Sequence, residues 1–267
     1  MKIKALTRHT DLFFSEFSGK IIDRGNYVVV QTPDNPSFHW GNYIIFSAPP
    51  GKGDYDKWCA TYRAEFPYYS TIRHMTFTWN EDDSCTPDFE PFLKAGFELD
   101  KTKVLATNRV VPPPKINQHI QVRPISTDSE WEAAIQLQIL CRKPEFDQTG
   151  YEAFKRRQFE TYRKMANANR GHWFGAFIND KLVGDLGIFH DGTLGRYQNV
   201  GTHPDYRRQG ICGTLVYETA RIAFKDFNVQ TLVMEADADY HAGAIYESVG
   251  FKVLEYDRSL SWWVPHD

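Results

Sequence analysis

Residues 199–218, NVGTHPDYRRQGICGTLVYE, set a basic, glycine-containing turn between an apolar strand and an amphipathic helix. A helix start leaves backbone N–H groups without intrahelical partners and carries the positive end of the helix dipole, so an anion placed there gains hydrogen bonds and charge complementarity together. Arg207 and Arg208 add full charges, and Gly210 lets the backbone come close to a ligand. The chemistry this points to is a clasp for phosphate. Cys212, in the first turn of the same helix, admits two readings: a thiol made reactive by the dipole, or a small side chain packed beside the ligand.

A second block, ADADYHAGAIYESVGFKV at 236–253, lies one helix and one strand downstream. Together the blocks resemble the two signature regions of the GCN5-related N-acetyltransferase (GNAT) superfamily, whose members move an acyl group from coenzyme A to an amine. The family's diphosphate motif, Gln/Arg-x-x-Gly-x-Gly/Ala, is met by Arg207, Gly210 and Cys212, the cysteine departing from the pattern, and Val200, Thr202 and Pro204 lead into it as the family has them. The family's Asn-x-x-Ala-x-x-Leu-Tyr-x-x-x-Gly-Phe is met by Ala242, Tyr246, Gly250 and Phe251, with Asp239 in place of the Asn and Ile245 in place of the Leu.

The resemblance implies acetyl-CoA as co-substrate, without a metal. It implies contacts to it from Val200, Thr202, Arg207, Arg208, Gln209, Gly210, Ile211, Cys212, Gly213, Thr214, Asp239 and Tyr246. It also implies that the strand of Val200 splays from its neighbour so that its free backbone groups pair with the pantetheine arm. A backbone N–H near Val200 would then polarise the thioester carbonyl, and Tyr246 would protonate the departing thiolate as general acid. With an unperturbed pKa of about 10, the phenol keeps its proton at neutral pH. Where many relatives carry a glutamate this chain has Gln198 and Asn199, neither of which can hold a proton. Asp185, His190, Glu235 and Asp237 lie in the same half, and the sequence leaves the base unassigned among them.

The elements needed to position these groups are legible around them. VVPPPK at 110–115 contains three successive prolines and reads as a stiff connector. After it, IQVRPI at 120–125 reads as a strand, Thr127 with Glu130 as a capping box opening a helix, and 151–168 as a second, basic helix. HWFGAFI and KLVGDLGIF flank an Asn179-Asp180 turn, a hairpin signal. Strand 196–202, the helix after the turn, strand 231–236, helix 240–249 and strand 251–256 complete the order.

The first half reads as a repeat of that plan, with an unrelated α/β domain and a chance Gly-Phe as the alternative: a strand at 43–46, a helix at 54–66 and a strand at 72–79, with Gly96-Phe97 and Gly250-Phe251 154 residues apart. Phe92 falls where Tyr246 stands, and PPGKGDYD replaces the arginine-rich turn. The expected fold class is therefore α/β, two tandem GNAT-like domains, each a mixed, mostly antiparallel twisted sheet flanked by helices. A degenerate copy occupies 1–112, the linker 113–116, and the catalytic copy 117–267.

With 267 residues, 42% of them hydrophobic, the chain can bury two cores. Its 31 basic and 34 acidic residues leave a net charge of −3, so no overall field points to nucleic acid or an anionic membrane. MKIKALTRHTDLFF is broken by charges before a signal-peptide core forms, and a cytoplasmic protein, monomeric or homodimeric, is expected. Cysteines 59, 85, 141 and 212 lack metal-ligand spacing. The reading is an N-acetyltransferase acting on a small-molecule or peptide amine by direct attack in a ternary complex. The alternatives are a catalytically silent acyl-CoA sensor and a general nucleotide-phosphate binder.

Overall fold

Aromatic side chains gather where α2 (Asp54–Glu65) lies along the strands of the first hundred residues: Phe46 stacks on Trp58 with ring centroids 3.9 Å apart, and Tyr62, Phe66, Phe77, Phe92 and Phe97 close the cluster. Burying a side chain of this size contributes roughly 1.5–3 kcal/mol, so this cluster forms a core of its own. The computed structural model describes residues 1–66, 68, 72–144, 147–237 and 242–264, and divides into two units, Met1–Thr102 with Tyr256–Asp267, and Lys103–Glu255.

In the first unit α1 (Leu6–Ser18) precedes β1 (Lys20–Asp23), β2 (Tyr27–Gln31) and β3 (Tyr43–Phe46), which pair antiparallel in sequence order. α2 then carries the chain over to β4 (His74–Trp79), which joins β3 in parallel. α3 (Glu90–Lys94) leads into β5 (Glu98–Thr107), along which the chain passes into the second unit.

There the sheet order is β10, β9, β8, β7, β6. β6 (Gln121–Pro124) is followed by α4 (Asp128–Leu140), whose start is the expected capping box: Glu130 N–H donates to Thr127 Oγ1 at 3.2 Å and Thr127 N–H to Glu130 Oε2 at 3.1 Å. Hydrogen bonding from Arg123, aided by the Ser126 and Thr127 amides, pulls the Glu130 carboxyl down to about 2. α5 (Gln148–Asn167) starts three residues earlier than expected because Asp147 caps it, accepting the Gly150 N–H at 2.6 Å.

β7 (Gly171–Ile178) and β8 (Lys181–Asp191) form the expected hairpin, with Asn179 and Asp180 both at positive φ, +47° and +62°, as a type I′ turn requires. β9 (Leu194–Thr202), α6 (Ile211–Asp226), β10 (Thr231–Asp237) and α7 (Ala242–Ser248) follow. One face of this sheet buries Leu186, Ile188, Tyr197, Leu215, Val216, Ala220, Met234 and Phe251 around α6. Toward α4 and α5 lies an aromatic stack in which Tyr162 meets Trp173 at 5.0 Å and Phe189 at 5.2 Å.

β11 (Lys252–Trp263) runs seven residues past the strand read from the sequence, and its second half belongs to the first unit. Ser259 pairs with Thr78 of β4 and Trp263 with His74, Leu260 enters the aromatic core, and Asp257 forms a buried ion pair with Arg8 of α1. Among the described residues no helix is long and apolar enough to cross a membrane.

Candidate active site

The site is built where β9 leaves its neighbours. On one side, Asp185 of β8 pairs with Gly201 and Gly187 with Gln198, so β9 spends one residue more than β8 over this stretch. The surplus is a bulge at Asn199 and Val200, with Asn199 in the left-handed region at φ +47°. On the other side, β9 runs parallel to β10 with Leu194 against Thr231 and Arg196 against Val233. Among the described residues this register stops there, although β9 continues to Thr202 and β10 to Asp237. Half-buried Gln198, Asn199 and Val200 therefore present backbone groups where the strands part.

Beyond Thr202 the chain makes a short turn over Pro204–Tyr206 and reaches α6. Arg208 at φ +62° and Gly210 at φ +81° bracket Gln209, a left-handed alternation that turns successive amides toward a common centre. Gly210 is the N-cap, no side chain caps the helix, and its first turn carries no acid. The start of α6 thus keeps its amides and its positive dipole end for an anion. Arg207, Arg208 and Gln209 are exposed around it, while Ile211, Gly213 and Thr214 are buried behind it.

The segment 113–117 braces this turn: Lys115 Nζ donates to the Arg208 carbonyl at 2.8 Å, Asn117 Nδ2 to the Gln209 carbonyl at 2.9 Å, and Asn117 N–H to Thr214 Oγ1 at 2.9 Å. A Cβ on residue 210 would stand 2.5 Å from the Lys115 carbonyl oxygen. Gly210→Ala therefore combines a left-handed backbone, about 1–2 kcal/mol, with overpacking of about 1–3 kcal/mol. Denaturant unfolding is expected to register a loss of at least about 1 kcal/mol, and unchanged stability would contradict the close approach.

Cys212 resolves toward packing. Burial pushes its thiol up to about 12, against the lowering a helix start would give, so it carries no thiolate at neutral pH. Tyr246, on α7, is 6% exposed within the core cluster that holds Tyr197, Val249 and Phe251. Val200 is half-buried against the same cluster, and the Thr202 carbonyl accepts Arg207 Nε at 3.2 Å. Asp239 lies outside the described residues.

Of the four groups left open as base, His190 stacks on Phe227 at 5.4 Å, its pKa held down by burial, and Asp237 is exposed. Glu235, two residues past the last β9–β10 pair, holds Arg196 at 2.7 Å through Oε2, and its Oε1 is buried without a hydrogen-bond partner. Asp185 is fully buried beside the bulge, where it accepts Gln138 Nε2 at 2.8 Å and Trp173 Nε1 at 3.0 Å. Gln138 also donates to the Asn199 carbonyl at 2.8 Å, so Asp185 orients the amide that holds the bulge. Gly201 permits the approach, since a Cβ there would lie 2.7 Å from Asp185 Oδ1.

Desolvation pushes the Asp185 carboxyl up to about 7, with its two hydrogen bonds and the Lys155 charge pulling the other way. An unfolded aspartate titrates near 4, so between about pH 4 and 7 the folded protein holds a proton that the unfolded chain releases, and stability falls as pH rises through that window. Asp185→Asn is expected to remove that slope, worth a few kcal/mol at about 1.4 kcal/mol per pKa unit. It adds a pH-independent cost, because an amide offers one acceptor to two donors. Unfolding free energies of both proteins at pH 4.5 and 7.5 decide it, and equal slopes would refute the assignment.

The Acetyltransferase (GNAT) family matches residues 131–251, a span that contains the bulge, the parted strands, the turn and Tyr246. A functionally unknown conserved protein from Staphylococcus epidermidis ATCC 12228 superposes with a TM-score of 0.74 at 15% identity, covering 91% of this chain and 93% of that one. A GCN5-related N-acetyltransferase from Kribbella flavida reaches 0.67 at 15% identity, over 100% and 97% of the two chains. A tandem GNAT protein from the clavulanic acid biosynthesis pathway reaches 0.53 at 14% identity, over 78% and 70%. No curated protein matches the sequence. The superpositions show a shared fold, and the family match gives the class of the matched span, that of an acetyltransferase. Residues 131–251 are a domain of the GNAT family.

Neither the bulge nor the buried polar chain behind it was read from the sequence. A signal for the first exists: asparagine is enriched in the left-handed region, and Asn199 stands inside the strand.

Proposed function

We propose that the second unit transfers an acetyl group from acetyl-CoA to the amine of a small molecule or peptide by direct attack in a ternary complex. The observation that carries this is the divergence of β9 from β10 at Arg196, running straight into an uncapped helix start flanked by Arg207 and Arg208. The thioester supplies an activated acyl group with a thiolate leaving group. The amides at the start of α6, with Gln209 and Thr214 shaping the turn, hold the diphosphate, while the open edge of β9 at Val200 and Thr202 takes the pantetheine arm as an added strand. An N–H at the bulge stabilises the oxyanion as the amine attacks. Glu235, whose buried Oε1 has no hydrogen-bond partner and lies just past the last pair of β9 with β10, takes the proton that the new C–N bond makes acidic, and Tyr246 gives one to the sulfur as the C–S bond breaks.

Residues 1–112 we read as a copy without this chemistry. Gly53 caps α2 at φ +81° and ψ 5°, close to Gly210 at +81° and 1°. Yet α2 opens with Asp54 and Asp56, and Asp54 Oδ2 takes the Gly51 N–H at 2.8 Å, filling the place of an anion with the protein's own carboxylate. β3 and β4 also stay paired to the end of β3, Phe46 against Trp79, which leaves no open edge.

Release of free CoA thiol from acetyl-CoA with a panel of amines tests the proposal. Amine-dependent release is expected, and CoA binding without release under any amine would favour the sensor.

A further inference from the structure

α5 turns a charged residue into the interior. Lys155 is 3% exposed and shares its face with Phe159, Tyr162 and Met165. Its ammonium donates to Gln158 Oε1 at 2.9 Å, and the half-buried rings of Tyr151 and Phe154 flank it at 5.5 and 5.3 Å. Among the described residues no carboxylate comes within ion-pair distance of it, and the two oxygens of Asp185 accept from Gln138 and Trp173. An ammonium has three protons to donate, so two are left without an oxygen. A buried charge in that state costs several kcal/mol, which a methionine in the same place would not incur. Burial pushes the amine's pKa down to about 7, and the charge of Asp185, a carboxyl that burial itself drives toward neutrality, offsets only part of that.

What the cation stands beside gives it a use. Gln158 Oε1 also accepts Asn199 Nδ2 at 3.2 Å, so Lys155 and the bulge of β9 share one acceptor atom. We propose that Lys155 receives a carboxylate carried by the acceptor, so that the amine acetylated at the bulge belongs to a molecule, such as an α-amino acid, whose nitrogen and carboxylate are a few bonds apart. This rests on the acetyltransferase reading above and adds the class of acceptor to it. The carboxylate completes the hydrogen bonding of the ammonium and supplies its counter-charge, while the rings of Tyr151 and Phe154 stack against the cation.

The test compares amino acids with their decarboxylated counterparts, phenylalanine with phenethylamine and lysine with cadaverine, by thiol release from acetyl-CoA. The acid member is expected to have the higher kcat/KM by tenfold or more in at least one pair, and Lys155→Met and Lys155→Gln to bring that ratio toward one, chiefly through KM. Equal or better turnover of the decarboxylated members, or an unchanged ratio in both variants, overturns the proposal. If no pair turns over, the N-acetylated members are compared as ligands of the CoA-bound protein, and equal thermal stabilisation by acids and amines, or none by the acids, overturns it as well. Stabilisation by CoA alone reports on the acetyltransferase reading separately: CoA binding with no preference for carboxylates removes only the acceptor class.

Discussion

Tyr246→Phe is expected to lower kcat by about a hundredfold or more and to leave the Kd for CoA within about twofold. General acid catalysis contributes roughly a hundred- to ten-thousandfold, and a phenol that donates only as the C–S bond breaks acts in the transition state and not on the bound thioester. The ring is buried with Tyr197 and Phe251, so Phe keeps its packing, and a melting curve separates a loss of proton donation from a loss of fold. Steady-state thiol release and direct CoA titration measure the two quantities. A variant with unchanged kcat would remove Tyr246 from the chemistry.

Replacing both Arg207 and Arg208 with alanine is expected to weaken CoA binding by ten- to a hundredfold. A hydrogen bond to a charged group is worth about 1.5–3 kcal/mol, and exposure of both side chains reduces that by screening. The loss should therefore be larger at low ionic strength and shrink as salt is raised, with a Debye length of about 10 Å at 0.1 M. Calorimetric titration at two salt concentrations checks it. Affinity and salt dependence like those of the unsubstituted protein would contradict the anion site at α6. The amides of the helix start remain in the variant, which is why binding is expected to weaken and not to vanish.

Where a residue's chemistry is local, the sequence shows it. Thr127 and Glu130 lie three apart and cap α4 as that spacing requires, and Asn179-Asp180 adopts the two left-handed conformations of its turn. A glycine at 210 signals a close approach, and a Cβ there would strike the Lys115 carbonyl. What depends on distant partners was not legible. FKVLEY reads as a strand, but its continuation through RSLSWW depends on β4, nearly two hundred residues earlier, where Leu260 finds a core already lined with Phe77. Asp185, Gln138, Lys155, Gln158 and Asn199 come from two helices and two strands, and no spacing along the chain links them. A lysine on the apolar side of α5, three and four residues before Gln158 and Phe159, was the trace they left in the sequence.

The thiol of Cys212 shows why position alone misleads. A helix start favours the thiolate, yet desolvation disfavours any charge, and in this packed first turn the second effect wins. Asp185 and Lys155 obey the same rule from opposite sides, each driven toward neutrality by burial, so the interior behind the bulge holds two groups able to change charge near neutral pH.

A crystal structure of the protein with coenzyme A bound tests the central claim most directly. One molecule of CoA is expected in the second unit, its diphosphate on the amides of residues 210–213, its pantetheine along β9 at Val200, and its sulfur within hydrogen-bonding reach of the Tyr246 hydroxyl. Coenzyme A seated at residues 51–53, or bound with the phenol facing away from its sulfur, would contradict it.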